Sequence, residues 1–293
     1  MIFRPMLACK TPENLTALNF PMYASVKVDG IRAFMNDGVL YSRSGKRIPN
    51  EATQQLYGGF AGVLNQLDGE LMVGGADNLT FNRTTRVVMS HHVMAPVSWH
   101  IFDIIGQKGS FNHRLYLMQQ LEANFPVPFV RVLPQTLVNS PEEVMTQHRL
   151  AVDNGYEGLI LRDPAGEYKE GRSTMKEQGM VKIKMFEDSE AVVLGVEEQF
   201  SNTNIATLNE VGYTKRMGGS SGLVPKGTMG KLWARDVHSG VEFHIGTGFD
   251  DRFRQQVWDN PELAIGRIAK YRFLAHGVVE KPRHPVFFGW RED

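Results

Sequence analysis

"YASVKVDGIRAF", residues 23–34, sets one lysine in an apolar run and follows it with a carboxylate, a glycine and an arginine. Its alternation reads as a strand, with Val26 and Val28 on one face and Ser25, Lys27 and Asp29 on the other. A lysine so placed has two uses. It can close a structural ion pair, or it can act as a nucleophile once desolvation and neighbouring cations favour the free amine. Asp29 shares the face of Lys27. Gly30 would let a ligand approach the backbone. Arg32 supplies a planar donor fork suited to phosphate or carboxylate.

Three further segments add chemistry of the same kind. "DGEL" (68–71) puts Asp68 and Glu70 on one face of a strand. "EGLILR" (157–162) carries Glu157 into an otherwise apolar strand, where a carboxylate is costly unless paired or bound to metal. "VKIK" (181–184) aligns Lys182 and Lys184 on one face, two cations that repel unless an anion lies between them. Each segment alone also reads as a charged strand end or an amphipathic edge. Together they supply one candidate nucleophile, several inward acids and a lysine pair. Acids of this kind hold Mg²⁺ and cations hold phosphate. The combination suits attack on a nucleotide phosphate, where positioning and charge stabilisation carry the catalysis.

The rest of the chain supports an α+β reading. Strands are expected at 38–49, 66–73 and 97–105, with helical spacing near 50–66 and an amphipathic helix over 111–125. The helix signals are strongest over 140–155. Ser140 is placed to cap it, Pro141 suits its first position, Glu143 closes a capping box and Gly155 ends it. Near Glu187 the pattern changes to short strands, with one helix at about 250–258. This divides the chain into a first domain, 1–186, with antiparallel sheets and flanking helices, and a small β-barrel of the OB type, 187–293. A polar stretch at 201–230 holds Glu210 alone against Lys215, Arg216 and Lys226. It reads as a long loop, functional or solvated.

Bulk properties set limits. The 293 residues carry no formal net charge, so no global basic field points to nucleic acid, and local patches must do any such binding. A lone cysteine, Cys9, excludes a disulfide framework and a cysteine-rich zinc module within the chain. No apolar run reaches the length of a membrane span, and the first residues lack a signal peptide's apolar core, so a cytoplasmic protein is expected. His91 and His92 are adjacent, which does not put both on one strand face for a metal. GxxxxGK[ST], GxGxxG and HExxH motifs are absent.

"KVDGIR" resembles the KxDGxR nucleotidyl-lysine motif of covalent nucleotidyltransferases. "SRSGK", "DGE", "HIFD", "EGLILR", "VKIK" and a closing "RHPVFFGWR" follow in the order seen in ATP-dependent DNA ligases, over nearly the whole chain. The resemblance is strongest to the compact, minimal members, which share "GRST", "GTGFD" and an arginine-led "PVF" ending. It implies a nucleotidyltransferase (ATP-grasp-like) domain followed by an OB-fold domain. The implied activity is sealing of 3′-hydroxyl/5′-phosphate nicks in duplex DNA by a monomer that encircles its substrate, with ATP and Mg²⁺ or Mn²⁺. Lys27 would carry AMP. Glu70 would bind the ribose, and Phe102 would stack on adenine. Arg32 and Arg43 would contact the nucleotide or the nick phosphate. Asp29 and Glu157 would serve the metal and strand joining. Lys182 and Lys184 would hold the α-phosphate, Arg172 would support the nucleotide site, and Arg283 would orient pyrophosphate, with Arg291 a weaker candidate. The stretch 201–230 stands where these enzymes carry a latch that clasps DNA, with Lys215, Arg216 and Lys226 for the backbone phosphates. RNA ligases and GTP-dependent capping enzymes share the lysine chemistry, and a non-catalytic OB-type nucleic-acid binder is the rival of another class. An NAD-dependent ligase is disfavoured because one cysteine cannot build its zinc module.

Overall fold

A computed structural model of the chain describes residues 3–125, 128–209, 214–216, 222–274 and 280–292. It divides into two compact units, one formed by the chain up to Lys184 and the other from Met185 onward. Among the described residues no helix is long and apolar enough to cross a membrane.

The first unit holds two sheets. In chain order its elements are β1 (Met22–Val26), β2 (Ile31–Asn36), β3 (Val39–Ser42), α1 (Glu51–Gly58), α2 (Ala61–Leu64), β4 (Leu67–Val73), α3 (Thr80–Val88) and β5 (Val97–Ile104). They continue with α4 (Phe111–Glu122), β6 (Val130–Val132), β7 (Thr136–Val138), α5 (Pro141–Asp153), β8 (Leu159–Arg162) and β9 (Met180–Ile183). One sheet runs β3-β2-β4-β5-β6 and the other β7-β1-β8-β9. All pairings are antiparallel except β5 with β6.

The pleat gives the five-stranded sheet two distinct faces. Ile31, Met35, Leu71, Trp99 and Ile101 are buried on one, against Tyr57 and Met118 from the helices. Tyr57 packs edge-on to Trp99 and donates its hydroxyl to Val97 O at 2.6 Å. Arg32, Glu70, His100 and Phe102, at the alternate positions, form the other face. There Phe102 joins a small apolar cluster of Val28, Met72 and Leu133, with Val26 and Tyr156 from the second sheet's side. This is the cleft between the two sheets.

The second unit contains β10 (Glu187–Asn202), the two-residue strands β11 (Thr207–Leu208) and β12 (Thr214–Lys215), β13 (Leu223–Asp236), β14 (Glu242–Ile245), α6 (Asp251–Asp259), β15 (Ile268–Leu274) and β16 (Arg283–Trp290). Its five main strands run β14-β13-β10-β15-β16. The two ends of that order meet where Phe287 N donates to Thr247 O at 2.9 Å. Gly248 makes this approach possible. Its φ is +95°, and a Cβ there would stand 2.0 Å from Phe287 O. Val193, Leu232, Phe243, Ile245 and Tyr271 fill the interior. The α+β reading and the OB-like second unit therefore hold.

Several local expectations change. Residues 23–34 are two strands, not one, because the chain leaves β1 at Val26 and enters β2 at Ile31. The strand expected over 38–49 ends at Ser42, and Gly45, at φ +77°, turns the chain. Ser140 caps α5 as expected, but Glu143 reaches past it to accept from Asn139 N at 2.9 Å. Helix α3 and strands β6 and β7 lack a clear sequence signal. The stretch 201–230 is not one long loop. β10 and β13 pair out to Asn202 and Leu223 as a ribbon, while Glu210 and its neighbours lie outside the described residues.

Asp236 ties the second unit's strands together. Its carboxylate accepts from Ser239 N and Oγ, His238 N, Ser189 Oγ and Tyr271 Oη at 2.7–3.0 Å. Burial alone would raise its pKa, but the Ser239 amide and the three hydroxyls outweigh burial and hold it at about 2. A carboxyl depressed in the fold stabilises above its unfolded value and loses that contribution as pH falls towards the folded one. Asp236→Asn should therefore lower stability at pH 7 by about 2 kcal/mol, the order expected when charge-assisted hydrogen bonds are lost. In urea titrations the gap from wild type should narrow between pH 4 and pH 2.

Candidate active site

The break between β1 and β2 places Lys27. Its backbone is pinned to the second sheet by Lys27 N donating to Gly158 O at 2.8 Å and Glu157 N donating to Lys27 O at 3.0 Å. Gly30 lets the same segment press against the other sheet, since a Cβ there would stand 2.1 Å from Leu71 O. Lys27 thus sits where the chain crosses from one sheet to the other, and a regular strand could not put it there.

Glu157 is the centre of the arrangement. Its side chain is only 2% exposed, and its two oxygens contact Lys27 Nζ and Lys184 Nζ, one each. The buried carboxylate anticipated in "EGLILR" is paired with the candidate nucleophile and with one lysine of "VKIK". Lys182 lies in β9 and Lys184 just beyond it. Burial lowers the Lys182 pKa, and Lys27, Arg172, Lys10 and Arg43 lower it further. These five side chains share one cationic neighbourhood, which favours an anionic ligand.

Glu70 faces the same cleft, opposite Arg32 on β2 and His100 on β5. Burial raises its pKa to about 7. Lys27 and Arg32 oppose the rise, while Asp29 and Asp68 add to it. Asp29 is itself buried. Arg32 is committed to the protein. Its Nε and Nη2 donate to the two oxygens of Asp68 at 3.0 and 2.5 Å, and its Nη1 to Met6 O at 2.5 Å. The ring of Phe102 lies 5.1 Å from that guanidinium. Arg172 donates to Ala8 O at 2.6 Å from an exposed position.

The remaining expected residues lie in the second unit. Arg283 begins β16, and Arg291 pairs with Glu190 at 3.0 Å. Lys215, Arg216 and Lys226 are exposed. Arg216 donates to Asn204 O.

Sequence reasoning missed two supports of the site. Thr11 donates to Lys182 O at 2.9 Å and accepts from Lys184 N at 3.1 Å, bracketing the turn of chain that carries both lysines. Asp68 and Asp103 are cross-strand neighbours, wholly buried, and are neutralised by Arg32, Arg114 and Arg162. The signal for the second was two aspartates at inward positions of apolar strands, which require partners from elsewhere in the chain.

Magnesium ions use one or two carboxylates plus phosphate oxygens and keep several waters. Among the described residues no group of three His, Cys, Asp or Glu side chains could cage a metal unaided. Asp29 and Glu157 are carboxylates of the type such an ion uses, and both Glu157 oxygens contact lysine ammonium groups.

The raised Glu70 pKa has a stability consequence. A carboxyl whose folded pKa exceeds its unfolded value destabilises the fold increasingly as pH rises through that interval. Glu70→Gln should leave stability near wild type at pH 4.5 and raise it by on the order of 2 kcal/mol at pH 8, as thermal or urea unfolding would show.

Residues 5–184 match the family described as the ATP dependent DNA ligase domain, and residues 223–291 match the DNA ligase OB-like domain. The crystal structure of Chlorella virus DNA ligase-adenylate is 31% identical, with 99% of this chain and all of that one covered, at a TM-score of 0.57. A Lig E DNA ligase structure, described as DNA binding with a minimal scaffold, is 26% identical over 99% of this chain and all of that one, at a TM-score of 0.74. A DNA ligase of Haemophilus influenzae is 24% identical over 275 residues, 92% of this chain and 85% of that protein. With the lysine, its buried carboxylate and the cationic cleft in place, the chain belongs to the ATP-dependent DNA ligase family.

Proposed function

We propose that the protein seals nicks in duplex DNA, with Lys27 as the nucleophile and ATP as the source of AMP. The observation that carries this is the contact of Lys27 and Lys184 with the one buried carboxylate of Glu157. Attack requires the uncharged amine, and Glu157 is the acceptor in contact with it. Lys27 Nζ forms a bond to the α-phosphorus, the bond from that phosphorus to the bridging oxygen breaks, and pyrophosphate leaves. The 5′-phosphate at a nick then displaces the amine and takes the AMP. Finally the 3′-hydroxyl attacks the activated 5′-phosphate and AMP departs.

Each side chain has a task that its environment supports. Lys182 and Lys184 stabilise charge on the α-phosphate, and Arg43 and Arg172 extend the cationic neighbourhood. Glu70 accepts from the ribose hydroxyls, and Phe102 offers a ring for adenine. Arg32 reaches nucleotide or nick phosphate only by giving up part of its pairing with Asp68. Mg²⁺ or Mn²⁺, held by Asp29 and Glu157, would supply positive charge against the phosphates. Arg283 remains the candidate for orienting pyrophosphate, ahead of Arg291.

Residues 1–186 are the adenylyltransferase domain and 187–293 the OB domain in this reading. The exposed Lys215, Arg216 and Lys226 on the 201–230 ribbon take the backbone of nicked duplex, with a monomer encircling it inside the cell. Backbone recognition suits a substrate whose sequence is arbitrary.

Two measurements test the proposal. Lys27→Ala should lose all covalent label from [α-³²P]ATP while keeping its fold, and undiminished label on that variant refutes the assignment. Affinity for nicked duplex should fall about tenfold or more between 50 and 200 mM salt, since released counterions drive phosphate contacts. A flat salt series, or equal sealing of nicked RNA, argues against the DNA-backbone reading.

A further inference from the structure

Arg162, the last residue of β8, is 2% exposed and lies beneath the cleft. Its Nη1 is 2.8 Å from Asp103 Oδ2. Asp103 does not need it as a first counterion, because Arg114 already reaches that carboxylate with Nε at 2.6 Å from Oδ1 and Nη2 at 3.4 Å from Oδ2. Among the described residues Arg162 Nη2 has no hydrogen-bond partner. A buried cation with an unpaired N–H, set beside two other arginines, adds little net stability and commonly costs it. Neutralising Asp103 therefore does not by itself account for Arg162.

Its position does. Asp103 follows Phe102 directly on β5, in the five-stranded sheet, whereas Arg162 belongs to the opposite sheet. The Arg162 guanidinium carbon is 6.0 Å from the centre of the Phe102 ring and 5.0 Å from that of Phe111, and Arg32 approaches Phe102 at 5.1 Å. Arg162 thus ties the strand that carries Phe102 to the sheet that carries Glu157, and presents a flat cation to the ring itself. We propose that Arg162 is a positioning residue that fixes the depth and tilt of the Phe102 ring in the cleft and so sets affinity for the purine base. The inference rests on the reading of Phe102 as the adenine-stacking ring.

The test is a double-variant cycle on the full chain, measuring Lys27-AMP formation against ATP concentration. Phe102→Leu should raise the half-saturating ATP concentration about tenfold, the effect of losing one base–aromatic stack. Arg162→Lys keeps the charge but loses the planar fork. It should raise half-saturation about fivefold in the native background, with the rate at saturating ATP within about twofold, and should add less than about twofold in the Phe102→Leu background. An Arg162→Lys effect that is absent, or equally large in both backgrounds, overturns the proposal while leaving Phe102 as the stacking ring. No effect of Phe102→Leu refutes the underlying reading instead. If Arg162→Lys fails to fold, Arg162→Gln, which keeps a planar donor for Asp103 without the cation, takes its place with the same outcomes.

Discussion

The site depends on one buried carboxylate shared by two ammonium groups. Glu157, buried as it is, cannot lie uncompensated, and Lys27 and Lys184 could not sit close together without it. The three residues come from the crossover after β1, the residue preceding the glycine that leads into β8, and the end of β9. Their mutual need fixes where those segments meet. The fold itself thereby holds two ammonium groups on one buried carboxylate; in the function proposed above, that is the preorganisation phosphoryl transfer rewards.

A second ionic group lies deeper. Asp68 and Asp103 stand opposite each other on β4 and β5, a like-charge pair that would drive the strands apart if unanswered. Arg32, Arg114 and Arg162 answer it, and Tyr168 donates its hydroxyl to Asp68 at 2.9 Å. Burial and the Asp68 charge push the Tyr168 phenol well above its usual range, so it stays a donor. Because Arg162 comes from the opposite sheet, this group joins the two sheets at the base of the cleft, and the apolar cluster around Phe102 rests on it.

Much of this was legible in the chain, and the reasons are physical. Period-two alternation in 66–73 and 97–105 is strong, so β4 and β5 emerge close to their expected bounds. Ser140, Pro141 and Gly155 punctuate α5 without ambiguity. The pairing of Glu157 followed from the cost of a carboxylate in an apolar strand. What could not be read is what depends on distant partners. The alternation of 23–34 continues smoothly across Lys27, and only Gly30's clash-free approach to Leu71 and the bonds to Gly158 and Glu157 reveal a crossover. Arg32 read as a donor fork for phosphate or carboxylate, and which carboxylate it takes was not legible because Asp68 is far along the chain. Thr11 carried no signal, since a threonine that brackets a distant strand looks like any surface threonine.

The pleat of the five-stranded sheet has a wider consequence. Trp99 and Ile101 answer to packing against the helices, while His100 and Phe102, interleaved with them on β5, face the cleft. Adjacent residues on one strand therefore meet separate selective demands. Evolution, or a designer, could rewrite the chemistry of alternate positions without touching the fold, and could repack the helices without disturbing catalysis.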